Sequence, residues 1–343
     1  MMNDDNFVAK HSGTMAIAEE NMISALERHI LILDGAMGTM IGQRGLAKKD
    51  FVAASVPHGD VDVTMNCDVL NLTRPDVVAA LHRQYVDSGA HIITTNTFNS
   101  NRISQQLYGC EGLAGEMALA GARIAREVAR NTPGRKTWVA GSMGPTHCML
   151  SMQRGRAGGT VSCDMMTDAY FEQARALVKG GVDVLLLETC CDALNARAAL
   201  EAVAMLNCRL ERDVPVMVSA TVDAAGRLLT GQPIMEFYHG ISRFPMLSFG
   251  VNCSWGVQGI LPVVEQLSAT VTHYVSVYPS AGLPDENGQY TVTPLHFARE
   301  MAQLAQLGLV NMVGGCCGTT PRHIAGVASI MGDYRPRRLP CVK

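Results

Sequence analysis

Residues 182–190 read VDVLLLETC, an apolar run that ends in a glutamate, a threonine and a cysteine. Its apolar residues do not alternate with polar ones, a pattern typical of a strand that is covered on both faces in a parallel sheet. The chain contains eight such β-rich runs, and a helical stretch follows each of them. The other seven runs are ILILDGAMGT (30–39), HIITTNTF (91–98), TWVAGSMGP (137–145), VPVMVSATVD (214–223), MLSFGVNC (246–253), HYVSVYP (273–279) and VNMVGGCCG (310–318).

Amphipathic stretches separate the runs, among them PDVVAALHRQYVDSG (75–89) and MTDAYFEQARALVKGG (166–181). Each of these ends at glycine just before the next predicted strand, as the C-terminus of a helix commonly does. Eight β/α units in about 300 residues predict a single (β/α)₈ barrel of the TIM type. A doubly wound open sheet is the main alternative, but the chain shows no nucleotide-binding fingerprint, and this favours the barrel.

The predicted organisation has three parts. Residues 1–29 form an N-terminal extension with a lead-in helix at 16–30, where apolar residues recur at helical spacing. The barrel covers residues 30–332, and a short C-terminal tail covers 333–343.

Composition excludes several classes of partner. The formal net charge is −3, and the chain has no basic run, so nucleic acid is not an expected partner. No apolar stretch reaches the roughly 18 residues of a membrane span, and the polar N-terminus does not resemble a signal peptide. We therefore expect no membrane association and a cytoplasmic location. Eleven cysteines without a secretory signal argue against a disulfide framework, so metal binding, catalysis or burial should explain them.

The residues that carry chemistry come where the apolar runs end. In a (β/α)₈ barrel all strand C-termini open onto one face, and that face holds the active site. We therefore expect these side chains to meet at one mouth although they span nearly the whole chain. They are Asp34, Asn96, Glu188, Cys253, Cys316 and Cys317.

The adjacent pair Cys316 and Cys317 suggests a metal site. Neighbouring cysteines form a disulfide poorly, because the bridge needs two well-separated Cα atoms. Cys253 ends the sixth strand and the pair ends the eighth, so their loops can meet above the seventh. Three thiolates with an open fourth position are consistent with catalytic zinc, since structural sites normally have four protein ligands. Flanking glycines would let the backbone turn and aim both sulfurs: Gly314, Gly315 and Gly318.

A simple structural role for the cysteines stays open on these residues alone, because free cysteine is among the most buried residue types. A Cys–Cys pair with one distant cysteine does not match the standard zinc spacings. Cys190 and Cys191 form a second adjacent pair that is a rival for the metal but lacks flanking glycines. Burial is the expectation for Cys67, Cys110, Cys148, Cys163, Cys208 and Cys341.

Three thiolates would make zinc electron-rich, which suits thiol chemistry better than water activation. A metal-bound thiol loses its proton, and the thiolate is the nucleophilic form, so thiol alkylation is the predicted reaction. Asp34 and Glu188 suit an ammonium group, and the backbone N–H groups of the turn at 35–38 suit a carboxylate. Together these describe an α-amino acid with a side-chain thiol. The alternatives are a helix cap for Asp34 and an ion pair at the mouth for Glu188.

Several motifs together resemble the homocysteine S-methyltransferase family, and within it the homocysteine-binding domain of cobalamin-dependent methionine synthases. They are LDGAMGT, TNTFNSN, GSMGPT, LLLETCCDALNA, FGVNC, PSAGLP and VGGCCGTTPRHI, in a match that runs from about residue 30 to 340. The resemblance implies a (β/α)₈ barrel that makes methionine from homocysteine. It implies zinc held by Cys253, Cys316 and Cys317, and substrate contacts at Asp34, Gly35 and Glu188, with Asn96 and Ser280 beside them.

The chain also departs from the methionine synthase pattern. Ser280 stands where an asparagine near the zinc is usual, and the loop at 146–164 lacks the usual Ser-Ile-Ser-Pro-Asp stretch. The sequence contains no Asp-x-His-x-x-Gly corrinoid signature, and we expect neither a folate-binding barrel nor a cobalamin domain in this chain. The prediction is therefore a donor supplied from outside, methylcobalamin on a separate corrinoid protein. The alternatives are S-methylmethionine or a betaine as donor, a non-catalytic thiol-binding or corrinoid-partner module with structural zinc, and, more remotely, a hydrolytic metalloenzyme.

Overall fold

The computed structural model describes residues 21–53, 56, 61–153, 161–211 and 213–340. Eight strands form one sheet, and each lies within one of the eight predicted runs. The strands are β1 (Leu31–Ile32), β2 (Ile92–Thr94), β3 (Trp138–Met143), β4 (Val184–Cys190), β5 (Val216–Ala220), β6 (Ser248–Cys253), β7 (Tyr274–Pro279) and β8 (Met312–Val313).

All neighbouring strands are parallel, in the order β1-β8-β7-β6-β5-β4-β3-β2. A parallel bridge between Leu33 and Ile92 then joins the two ends of the sheet. The Asp34 N–H donates to the Ile92 carbonyl at 3.0 Å across this junction. The (β/α)₈ barrel is therefore confirmed, and the open doubly wound sheet is excluded.

Helices follow the strands and cover the outside of the sheet. They are α1 (Met22–Arg28), α2 (Met37–Gly42), α3 (Leu70–Thr73), α4 (Pro75–Asp87), α5 (Arg102–Gln105), α6 (Ala114–Arg130), α7 (Leu150–Gln153), α8 (Cys163–Gly180), α9 (Ala193–Asn207), α10 (Ile234–Ile241), α11 (Val257–Thr270), α12 (Pro294–Gln306) and α13 (Pro321–Met331).

The predicted helix bounds were close to those observed. Helix α4 begins at the proline predicted for it, since proline suits the first helical position. Helix α8 begins three residues before the predicted start, because Ser162 caps it by accepting the Met165 N–H. It ends where Gly181 turns left-handed at φ 95°.

The strands read as continuous apolar runs because both of their faces are buried. In β4, Val184 and Leu186 lie in the cluster inside the barrel, whereas Leu185 and Leu187 belong to the cluster between the sheet and the helices. Successive side chains of a strand point to opposite faces of the sheet. A barrel strand that is covered on both faces therefore needs apolar residues at both odd and even positions.

The lead-in helix closes one end of the barrel. It covers Met22–Arg28 and ends two residues before the predicted end, and residues 16–20 of the prediction lie outside the described residues. Its apolar residues Met22, Ala25 and Leu26 join the inner cluster that also contains the first residues of several strands. Because α1 leads directly into β1, it covers the N-terminal end of the barrel. The open mouth is therefore at the C-terminal ends of the strands.

Candidate metal and substrate site

Three cysteine sulfurs meet at the mouth. Cys253 is the last residue of β6, and Cys316 and Cys317 follow β8. Their Sγ atoms all lie within 4.8 Å of one another, and the Cys253 and Cys317 sulfurs are 3.5 Å apart. Within the described ranges, this is the one group of three or more His, Cys, Asp or Glu residues placed to hold a metal ion.

The sulfur spacing fits zinc. A disulfide would bring two sulfurs to about 2.05 Å, far closer than the 3.5 Å seen here. Tetrahedral zinc with Zn–S bonds of about 2.3 Å would place its sulfur ligands about 3.8 Å apart. The three thiols therefore need only small shifts to share one ion, and all three remain partly accessible.

Strand β7 joins the two loops that carry the cysteines. The Cys316 N–H donates to the Pro279 carbonyl at 2.8 Å, and the Ser280 N–H donates to the Cys253 carbonyl at 3.0 Å. The Ala281 N–H in turn donates to the Cys317 carbonyl at 2.9 Å. The expectation that the loops after strands six and eight meet above strand seven is confirmed.

The backbone at the site is unusual. Cys253 and Ser254 have φ values of 54° and 55°, a left-handed conformation that ordinary L-residues rarely adopt. Thr189, the residue after Glu188, has φ 58°. These are the only non-glycine residues with positive φ in the described part of the chain. Such strain persists only where surrounding contacts maintain it, and it is common at functional sites.

The glycines around the pair differ from the prediction in one respect. Gly318 does turn left-handed, at φ 79°, but Gly314 and Gly315 do not. Close packing instead requires glycine at these two positions. A Cβ on Gly314 would lie 2.8 Å from the Leu33 Cβ, and one on Gly315 would lie 2.5 Å from the Thr319 Oγ1.

Asp34 lies in a buried position between β1 and β2. The Thr94 N–H and hydroxyl each donate to its carboxylate at 2.8 Å. Burial raises the pKa of Asp34 to about 8, and the nearby Glu188 charge raises it further. The helix-cap alternative for Asp34 is wrong, because the N-cap of the following helix is Ala36 and has no side-chain cap.

Glu188 lies on β4, where it accepts a hydrogen bond from the Ser142 hydroxyl. Burial raises the pKa of Glu188 to about 7, and the charge of Cys253 acts in the same direction. Glu188 therefore interacts electrostatically with both Asp34 and the thiol cluster. No basic side chain pairs with it in the described ranges, so the ion-pair alternative is not supported.

The turn at Gly35 is closely packed. A Cβ there would lie 2.7 Å from the Thr319 Oγ1 and 2.9 Å from the Tyr85 Cε1. The Ala36 N–H already donates to the Thr319 hydroxyl at 3.2 Å. The contact of this turn with a substrate carboxylate stays a prediction, and Ala36 is not one of its free donors.

Asn96 and Ser280 are both buried beside the mouth. The Asn96 amide donates to the Cys67 carbonyl at 2.8 Å and to the Asn71 side chain at 3.1 Å, so both of its donors have protein partners. The Ser280 hydroxyl lies 3.5 Å from the Cys253 sulfur. A substrate contact for either residue stays a prediction.

Four further side chains belong to the site, and sequence reasoning missed them. Thr94 and Ser142 hold the two carboxylates. Asn252 accepts the Thr189 N–H at 2.9 Å, and Tyr278 lies inside the barrel next to Glu188. Their position at strand ends was the available signal, but their pairing depends on the register between strands.

The remaining described cysteines are buried, intermediate or exposed. Cys190 is buried in β4 and Cys191 is intermediate, and neither joins the metal group, so this pair is not a rival ligand. Cys110 is buried as expected, and Cys67 and Cys148 are intermediate. The expectation of burial is wrong for two exposed cysteines, because both lie at helix ends: Cys163 begins α8 and Cys208 caps α9. Cys341 and residues 154–160 of the mouth loop lie outside the described residues.

The fold and the site define a class of protein: a (β/α)₈ barrel whose mouth has three thiols placed to hold a metal ion, the buried carboxylate of Asp34 and the partly buried carboxylate of Glu188. The model of the homocysteine S-methyltransferase family matches residues 31–331, and the chain belongs to that family. Membership supports a methyltransferase that acts with homocysteine. The family is in general zinc-dependent, and the three sulfurs are placed to hold a metal. Within the described residues, no helix is both long and apolar enough to span a membrane.

Solved structures agree on the fold. The homocysteine methyltransferase MmuM from Escherichia coli in its metallated form has a TM-score of 0.70 and 22% identity, covering 90% of this chain and 98% of that one. The oxidised form of the same protein has a TM-score of 0.67 and 23% identity, with coverage of 88% and 95%. The apo form has a TM-score of 0.64 and 21% identity, with coverage of 88% and 96%.

Proposed function

We propose that this protein transfers a methyl group to the sulfur of homocysteine and so makes methionine, with zinc held by Cys253, Cys316 and Cys317. One observation carries the proposal: three thiols within 4.8 Å of one another share a mouth with the buried carboxylate of Asp34 and the partly buried carboxylate of Glu188. Thiol ligands suit a substrate thiol, and the carboxylates suit the ammonium group of an amino acid.

The bound zinc would supply one thing, a means of keeping the substrate thiol in its reactive thiolate form at neutral pH. The protein residues would do the rest. Asp34 and Glu188 would receive the ammonium group, and that positive charge would favour ionisation of both carboxyls. Thr94 and Ser142 would keep the two carboxylates oriented through the hydrogen bonds that they already donate.

The reaction is a single displacement at carbon. The substrate thiol loses its proton to solvent, and an electron pair on its sulfur forms the new S–CH₃ bond. The bond between the methyl group and the donor breaks at the same time, and its electron pair leaves with the donor. Holding sulfur and methyl carbon in line is the main contribution that the mouth can make to this step.

We further propose that the donor is methylcobalamin presented by a corrinoid protein. The motif likeness to cobalamin-dependent methionine synthases supports this choice. Large exposed apolar side chains on the segments that follow the strands also support it, because exposed apolar surface suits contact with another protein. These side chains are Met65, Met152, Leu229, Trp255 and Leu283.

A panel of donors and acceptors tests the proposal on the zinc-loaded protein. Methionine should form from homocysteine and methylcobalamin, and mass spectrometry should detect it. Methionine from S-methylmethionine or a betaine, with none from methylcobalamin, would overturn the donor. Methylation of another thiol in place of homocysteine would overturn the acceptor.

A non-catalytic module with structural zinc is the second candidate, because bound zinc could also stabilise the barrel. The Cys316→Ala variant separates the two, with Cys208→Ala as the control, since Cys208 is exposed on the cap of α9. Loss of zinc and of methyl transfer with an intact circular dichroism spectrum supports catalysis. Unfolding of the Cys316→Ala variant alone supports structural zinc.

A further inference from the structure

A polar side chain that is not itself a metal ligand lies beside each of the three cysteines. The Ser280 Oγ lies 3.5 Å from the Cys253 Sγ. The Asn252 Nδ2 lies 4.0 Å from the Cys316 Sγ. The Tyr290 ring packs against Gly318, the residue next to Cys317. A side chain with a hydrogen-bond donor therefore lies near each sulfur, and the three side chains come from different parts of the mouth.

Asn252 is held in a single orientation. Its Oδ1 accepts the Thr189 N–H at 2.9 Å and the Ser219 hydroxyl at 2.8 Å. Its Nδ2 donates to the Thr189 Oγ1 at 2.8 Å. Because two donors occupy the amide oxygen, the NH₂ group is the one that faces Cys316.

Tyr290 is held by its loop and by a glycine. An antiparallel bridge pairs it with Pro284, and the Asp285 carboxylate closes the turn between them by accepting the N–H groups of Asn287 and Gln289. Its ring packs on Gly318, where a Cβ would lie 2.1 Å from the Tyr290 Cγ. The missing side chain at Gly318 therefore lets the ring lie against the backbone next to Cys317.

The charge of the site explains why such donors matter. A divalent metal with three thiolates has a net charge of about −1, and a substrate thiolate would make it about −2 in a half-buried mouth. A hydrogen bond to a metal-bound sulfur withdraws electron density from that sulfur and so changes how strongly it donates to the metal.

We infer that Ser280, Asn252 and Tyr290 are positioning residues that hydrogen-bond the three metal thiolates and lower their electron donation to the ion. The donors thereby leave the metal able to accept a fourth, substrate sulfur. This inference rests on the metal site of the proposed function and assigns a role to residues that do not touch the reacting atoms.

Cobalt(II) substitution tests the inference through the thiolate-to-cobalt charge-transfer band. Loss of a donor raises the energy of the sulfur lone pairs, so Tyr290→Phe and Ser280→Ala should each move the band to longer wavelength, and the double variant should move it further. Each single variant should also bind homocysteine about tenfold more weakly, as expected for loss of a hydrogen bond to a charged group. Asn252→Asp, which keeps the oxygen acceptor but replaces the donor, should shift the band in the same direction.

Tyr238→Phe is the matched control. The Tyr238 hydroxyl contacts Thr272 and His273 at the start of β7, at the other end of the barrel, so its loss should leave the band unchanged. A band in Tyr290→Phe and Ser280→Ala that equals the wild-type band would overturn the inference and leave the metal site intact. A wild-type protein that gives no thiolate-to-cobalt band at all would overturn the metal site itself, and the proposed function with it.

Discussion

The two ends of the barrel differ in what fills them: apolar side chains fill the N-terminal end, and carboxyl groups and left-handed backbone residues line the C-terminal mouth. At the N-terminal end, α1 inserts Met22, Ala25 and Leu26 into an apolar cluster. At the C-terminal mouth lie two carboxyls with raised pKa values, Asp34 and Glu188, and three left-handed residues, Thr189, Cys253 and Ser254. The closed end contributes stability, and the mouth holds groups that cost stability in the absence of a ligand. Substitutions at the two ends should therefore separate activity from stability.

The largest effect is expected at the metal site. Cys253→Ala removes one of the three sulfurs that would bind the metal, and it should lower the rate of methyl transfer by well over about 100-fold. Loss of a residue that only hydrogen-bonds a metal ligand typically lowers activity by about 10- to 100-fold, so loss of a ligand should cost more. Zinc content measured by atomic absorption should fall in parallel. Full zinc content together with full activity in this variant would exclude Cys253 as a ligand.

The closed end should show the reverse behaviour. Leu26 is fully buried, and Leu26→Ala should lower the free energy of unfolding by about 3 kcal/mol through lost burial and a cavity. Denaturant unfolding measures this change. Activity per folded molecule should equal that of the wild type, and a lower kcat in fully folded protein would show that the two ends are coupled.

A smaller effect is expected at the carboxylates. Glu188→Gln keeps an acceptor for the Ser142 hydroxyl but removes the charge, so the KM for homocysteine should rise at least about tenfold. The melting temperature should not fall, since a partly buried charge is removed. Glu201→Gln, in a surface ion pair with Arg197, is the control and should leave KM unchanged. An unchanged KM in Glu188→Gln would place the ammonium group elsewhere.

The smallest effect is a dependence on pH. Burial raises the pKa of Glu188 to about 7 and that of Asp34 to about 8, and only the ionised forms attract an ammonium group. Affinity for L-methionine, which has the ammonium group but no thiol, should therefore rise several-fold from about pH 6 to about pH 8.5, and calorimetry can follow it. Affinity that falls over this range would contradict the assignment.

The same two groups have the opposite effect on the ligand-free protein. Their pKa values are higher in the folded state than in the unfolded chain, so the folded state binds more protons between about pH 4 and pH 8. Their contribution to stability is therefore present at low pH and is lost as pH rises through the folded pKa values. Thermal unfolding of wild type and Glu188→Gln across this range measures the contribution of Glu188.

Much of this arrangement could be predicted from residue order. The eight apolar runs predicted the barrel because strands buried on both faces, such as β4, leave continuous apolar sequence. The barrel in turn places the ends of strands six and eight on both sides of strand seven, and this brought Cys253 to Cys316 and Cys317.

The partners of these groups could not be predicted in the same way. The Thr94 contact with Asp34 and the Ser142 contact with Glu188 depend on the register between neighbouring strands, which short parallel runs do not encode. The left-handed backbone at Thr189 and Cys253 could not be predicted either, because neither threonine nor cysteine favours this conformation. Asn96 was interpreted as a mouth residue, and only the folded chain shows its amide bonded to Cys67 and Asn71.

The position of β8 in the chain has a consequence for synthesis. Strand β8 fills the place between β1 and β7, and the Gly315 N–H bonds the Asp34 carbonyl at 3.1 Å across 281 positions of sequence. A nascent chain that has not yet released this strand exposes two unpaired strand edges and lacks two of its three sulfurs. Closure of the barrel and completion of the three-sulfur group therefore both require β8, and neither can precede the emergence of that strand.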